Sequence, residues 1–122
     1  MPPKKPPEGR SAIPKADYGL EDLDRLHSEY KANQARFMRT FKGRTFEARM
    51  PLHSVTEHII GRDTYSVDFG KGWPSDLDCP TIDENTTAFV INKNKGDILQ
   101  VRGIIKDHTF AAVQLSNCVI HD

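Results

Sequence analysis

The sequence predicts a mainly β domain in which five short strands close into a small barrel, with a long helix leading into it. Three observations carry that expectation. Apolar residues recur at helical spacing from Leu20 to Phe41. Side chains then alternate with period two in several short stretches, the mark of half-buried strands. Glycine or Gly-Asp punctuation (Gly43, Gly61, Gly70-Lys71-Gly72, Gly96-Asp97) separates those stretches.

Taken in order, residues 1–17 hold five of the eight prolines together with Lys4, Lys5, Arg10 and Lys15. Proline at this density blocks helix and ladder alike, so a flexible basic arm is expected, followed by one domain over residues 18–122. The arm is either a solubilising tail or a basic segment that touches phosphate or an acidic partner. The helix over residues 19–41 places Leu20, Leu23, Leu26, Tyr30, Phe37 and Phe41 on one side. Asp17 is its expected N-cap and Gly43 its left-handed end. Acids lie in the first turns and Arg36, Arg39 and Lys42 in the last, which suits the helix dipole.

Thr45, Glu47 and Arg49 alternate with Phe46, Ala48 and Met50, predicting the first strand. Pro51 cannot donate to a ladder and predicts a bend there, with residues 55–60 as a continuation. Residues 64–69 predict the second strand, with Tyr65, Val67 and Phe69 inward. A short irregular third strand is expected over residues 76–82, with Leu77 and Cys79 inward, then a short helix over 84–94 capped by Asp83. The β-branched Thr86, Thr87, Val90 and Ile91 oppose that helix, so the global pattern decides it. The last hairpin is read as a strand over 97–105, a turn at Lys106-Asp107-His108-Thr109, and a return strand over 110–115.

The 122-residue chain carries no net charge, which argues against a strongly basic nucleic-acid binder. The balance conceals a split: residues 1–62 sum to +4 and residues 63–122 to −4. No apolar run approaches the roughly 18 residues of a membrane span, so no membrane partner is expected, and no leader is visible. Two cysteines, Cys79 and Cys118, are not a disulfide framework; in a reducing cytoplasm, the expected compartment, they read as buried thiols.

Helix, three strands, short helix, two strands is the plan of an OB barrel. Within that plan stand Tyr30, Asn33 and Ala35, then Phe41-Lys42-Gly43-Arg44, then Lys95-Gly96-Asp97 with Val101 and Gly103, and finally Val113, Leu115, Asn117, Cys118 and Ile120. In these residues, spread over 26–120, the chain resembles the tRNA-anti-like OB-fold family of bacterial and phage proteins. It departs from the family at Pro51, where an apolar residue and glycine usually end the first strand, and at Trp73-Pro74, which enlarges a loop. The resemblance implies the barrel and a class. Many OB barrels bind single-stranded nucleic acid or oligosaccharide across strands two and three.

A single-strand binder needs aromatic platforms and cations along the backbone path. Arg44, Arg49, Trp73, Arg102, Lys106 and His108 are the expected binding residues. Arg49 and Arg102 are expected to form an outward stripe on neighbouring strands one and four. Tyr65 and Phe69 share a face with Val67 and read as core. Glu47, Asp68, Asp76 and Asp78 put negative charge near the same surfaces. There is no HExxH, CxxC or GxxxxGK[ST] pattern, so a non-catalytic module without metal or cofactor is expected. The rival reading is a protein-interaction module that docks on a host or partner protein. The mixed charges of the helix, Glu21, Asp22, Arg25, Glu29, Lys31 and Arg36, support it. The sequence leaves the oligomeric state open.

Overall fold

The computed structural model describes residues 14–57, 65–70, 76–80, 82–109 and 112–122. The expected single helix is broken. A 3-10 turn, Leu20–Asp22, leads into α1 (Leu23–Ala32) and α2 (Gln34–Phe41). The break is at Asn33, whose backbone is extended at φ −166°, ψ 102°. Its side-chain oxygen accepts from the Arg36 N–H at 3.0 Å, so it caps α2. A short amide that competes for backbone N–H groups explains why the helical pattern does not run through. Asp22, not Asp17, serves the entry, accepting from the Gly19 N–H at 2.9 Å. Asp17 instead accepts from the Thr45 N–H at 3.0 Å, and Tyr18 forms a parallel bridge with Phe46. The end of α2 is as expected, with Gly43 at φ +89°, a conformation glycine adopts without steric cost.

Five strands follow: β1 (Thr45–Glu57), β2 (Tyr65–Phe69), β3 (Leu77–Cys79), β4 (Ile98–Thr109) and β5 (Ala112–His121). They close in the order β1-β2-β3-β5-β4, an OB barrel. β1 serves two neighbours: Thr45 to Pro51 pair with β4, and Leu52 to Glu57 pair with β2. Pro51 marks the changeover. It has no N–H to give, its carbonyl accepts from the Gly70 N–H at 2.9 Å, and the register shifts between Leu52 and Ser54. The expected turn at Gly61-Arg62-Asp63 lies outside the described residues. Between β3 and β4, α3 (Glu84–Val90) is capped by Asp83, which accepts from the Thr86 N–H at 2.7 Å. It ends at Val90, short of the residue 94 expected.

The last hairpin departs from expectation. Lys106 to Thr109 are not a turn but the end of β4, paired as Asp107↔Gln114, His108↔Val113 and Thr109↔Ala112. A register shift between Ile105 and Asp107 re-aims the side chains there, and His108 points inward. β5 runs on past Leu115 to His121. A second irregularity sits between Arg102 and Ile104, opposite Asn117 with φ 53°. Gly103 belongs to that site, because a Cβ there would lie 3.0 Å from Leu115 Cβ and from the Ser116 carbonyl.

The inward faces form one core. Phe46, Ala48, Met50, Leu52, Val67, Phe69, Leu77, Leu99, Val101, Ile105, Val113 and Leu115 fill the barrel, and Leu23, Leu26, Phe37 and Phe41 pack against it from the helices. Cys79 and Cys118 are buried as expected, but they are not free thiols: they form a disulfide between β3 and β5. The two lie 39 residues apart in sequence, yet barrel closure brings their Cα atoms to 6.3 Å, within bridging range.

Candidate nucleic-acid interface

The outer face of β1 and β4 does not carry the expected arginine stripe. The register sets Glu47 opposite Arg102 and Arg49 opposite Gln100. Arg102 donates to Glu47 Oε1 at 2.9 Å, and Gln100 donates to Glu47 Oε2 at 2.8 Å. Glu47 thus occupies the guanidinium that a phosphate would need. Arg49 is exposed beside this pair.

A different basic group forms where α2 turns into β1. The Gly43 N–H donates to the Ile105 carbonyl and the Ile105 N–H to the Arg44 carbonyl, both at 2.8 Å. These two bonds set Lys42 and Arg44 beside Lys106, and Arg39 lies one turn back on α2. All four side chains are exposed. Among the described residues, only Arg44 of these four has an ionic partner, Asp17 at 3.4 Å, and a pair this exposed is weak. The Thr45 N–H and hydroxyl, more than Arg44, hold the Asp17 carboxyl below the usual carboxylate range. Arg44 and Lys106 were expected at a binding site. Arg39 and Lys42 suited the helix dipole and were not among the expected binding residues, and nothing in the sequence pairs Gly43 with Ile105.

His108 is not at the surface. It is 1% exposed, stacked on Tyr30 with ring centroids 4.3 Å apart, and its Nε2 lies 2.7 Å from His27 Nδ1. It leaves the binding set and joins the core. Trp73, with Lys71 and Phe110, lies outside the described residues. Val67 and Phe69 are core as expected, and Tyr65 is half-buried.

The outer face of β2 and β3, which many OB barrels offer to ligands, is acidic here. Asp68 and Asp78 are direct cross-strand partners. The Ser54 hydroxyl donates to Asp68 at 3.0 Å, and the Gln114 amide donates to Asp78 at 3.4 Å. Burial, with the Asp68 hydrogen bond and charge behind it, pushes the Asp78 carboxyl up to about 7. A polyanion on this face would meet repulsion.

Neither Cys79 nor Cys118 has a free thiol to act as a nucleophile. Among the described residues, no group of three or more His, Cys, Asp or Glu is placed to hold a metal. No helix among them is long and apolar enough to cross a membrane.

No family model and no curated protein sequence matches the chain. Solved structures do. A candidate nucleic acid-binding lipoprotein from Klebsiella pneumoniae superposes with a TM-score of 0.63 at 14% identity, covering 97% of this chain and all of that one. Yeast Stn1 and Ten1 give a TM-score of 0.49 at 7% identity, over 88% of this chain and 64% of that one. At these identities the first likeness concerns the fold alone, and the second is too slight to argue from.

Proposed function

We propose that this chain is a non-catalytic OB-fold binding module that engages single-stranded nucleic acid or a nucleoprotein complex. The supporting observation is the rim of four exposed cations, Arg39, Lys42, Arg44 and Lys106, gathered by the contact of Gly43 and Arg44 with Ile105. Such a rim suits a phosphate backbone, and the acidic β2–β3 face directs a strand away from the barrel's middle. Arg49 and Trp73 complete the proposed set. The name of the Klebsiella structure and the resemblance to the tRNA-anti-like family agree with this reading.

A fluorescence-anisotropy titration of labelled oligo-dT and oligo-U at low and high salt tests it. Binding that weakens with salt and is lost in Lys42→Glu/Lys106→Glu supports the proposal; absence of binding at low salt removes it. One observation favours the protein-interaction reading instead. Ile98 and Val119 are about half exposed on the outer surface of β4 and β5, at 51% and 56%, where a partner protein could cover them. The disulfide weighs against the cytoplasmic expectation, because cytosolic reductants keep such pairs open. Alkylation of free thiols before lysis decides between the compartments.

A further inference from the structure

α1 and α2 are fastened to the barrel by an unusual set of rings. His27 of α1 and His108 of β4 face each other with 2.7 Å between Nδ1 and Nε2. Tyr30 stacks on His108 at 16° between planes, and the Phe37 ring of α2 meets His108 edge-on at 5.8 Å. His108 is 1% exposed, and its Nδ1 has no hydrogen-bond partner among the described residues. Among those residues His27 Nε2 likewise lacks a hydrogen bond, and it faces Asp76 across 3.7 Å.

Two imidazoles at this distance share one proton between the facing nitrogens. Asp76 favours a proton on His27 Nε2, so His27 Nδ1 accepts and His108 Nε2 donates. The buried His108 Nδ1 is then bare. A first added proton can be accommodated, because an imidazolium still donates to a neutral ring. A second cannot: both facing nitrogens become donors, and two cations lie in contact inside an aromatic seam.

We propose that the His27–His108 pair is an acid-released latch, which holds α1 and α2 on the barrel when it carries at most one positive charge and frees them when both rings are charged.

The charges around the pair set its range. Asp24 and Lys31 lie on α1, Asp76 just before β3, and Asp107 beside His108 on β4. Burial lowers His27 most, against Asp76 and Asp24 and with Lys31. Burial and then the charge of His27 push His108 down to about 4, with Lys31 adding to this and Asp107 opposing it. The barrel itself has no part in the opening. Among the described residues its seam of β3 against β5 pairs at two positions, and it is covalently tied by Cys79–Cys118. Where the proposed cation rim is correct, release also parts Arg39 and Lys42 from Arg44 and Lys106; the latch itself does not depend on that reading.

Amide hydrogen exchange on the intact, oxidised chain tests it without any ligand. Rates are corrected for intrinsic pH dependence between pH 7 and 3, and the histidine ring protons are titrated by NMR in the same samples. The expected result is that residues 23–41 lose at least tenfold protection as the second ring titrates, while β1, β4 and β5 keep theirs. His108→Phe, which fills the site with a ring that cannot be charged, should keep the helices protected to pH 3. His27→Gln, which retains an amide opposite His108, should do the same and stands in if the first variant fails to fold. Helices and barrel losing protection together, helices protected to pH 3 in the wild type, or either folded variant releasing at the wild-type pH overturns the latch.

Discussion

Reducing the Cys79–Cys118 bond should weaken the barrel by an amount set by the chain it closes. The two cysteines are 39 residues apart, and a loop of that length restricts the unfolded chain by about 4 kcal/mol at 25 °C. Among the described residues, β3 and β5 pair at Leu77↔Val113 and Asp78↔Gln114, so the bond closes a short ladder. Urea unfolding followed by circular dichroism, with and without a phosphine reductant, reads the difference directly. Reduction leaves both sulfurs in the core, so no cavity term enters, unlike a cysteine-to-alanine change. A lower midpoint with a steeper slope is expected, because the reduced chain unfolds to a more open state, with hydrogen exchange opening first at β3 and β5. A loss under about 1 kcal/mol would refute the reasoning, since the seam would then hold through packing alone.

Other expectations are more local. Asn33→Ala removes the cap of α2 and should cost about 1 kcal/mol in urea unfolding; no loss would mean that the two helices do not depend on that break. Phe37→Ala empties a fully buried site and should cost about 3–5 kcal/mol by the same assay, with a loss below 1 kcal/mol contradicting its place in the core. If Arg39, Lys42, Arg44 and Lys106 each meet one phosphate of a single strand, log affinity should fall with log salt at a slope of about −3. Arg102→Gln should leave that affinity within about twofold, because Glu47 already occupies the guanidinium; a tenfold loss would return Arg102 to the site.

The barrel was legible because its signals are local and repeated. Phe46, Ala48 and Met50, or Leu99, Val101 and Ile105, alternate regardless of what lies across from them. Gly43, Pro51 and Asp83 act through their own backbone chemistry, so their roles could be read in isolation. What was missed depends on partners far along the chain. Lys106 to Thr109 look like a turn by composition, and only the shift after Ile105 and the seat beneath Tyr30 make His108 a core residue. Glu47 cancels Arg102 through a register that no single strand encodes. Cys79 and Cys118 meet only once β3 lies parallel to β5. Asn33 carried a usable signal, an amide within a helical run, which the apolar spacing on either side outweighed.

Two titrating groups oppose each other across acid pH, and this decides how acid sensitivity can be observed. His108 is held to about 4 against 6.5 when unfolded, so the unfolded chain binds the extra proton between those values and stability rises with pH there. Asp78 is raised to about 7 from 3.8, so the folded chain holds the extra proton between those values and stability falls with pH. Over the shared window, roughly pH 4 to 6.5, the two slopes have opposite sign and similar size, about 1.4 kcal/mol per pH unit each. Global unfolding of the wild type should therefore change less there than the histidines alone would make it, the lowered His27 adding to the His108 slope and Asp78 opposing both. Asp78→Asn retains an amide that can hydrogen-bond Asp68 but takes up no proton, and so removes one of the two terms. Stability of that variant, from urea curves at half-unit steps, should climb from pH 4 to 6.5 by on the order of 2 kcal/mol or more, and more steeply than that of the wild type. Both proteins climbing in parallel would mean that Asp78 and Asp68 do not share a proton in the folded chain. A wild type whose stability falls with rising pH beside a level variant would instead deny His108 its buried, neutral state.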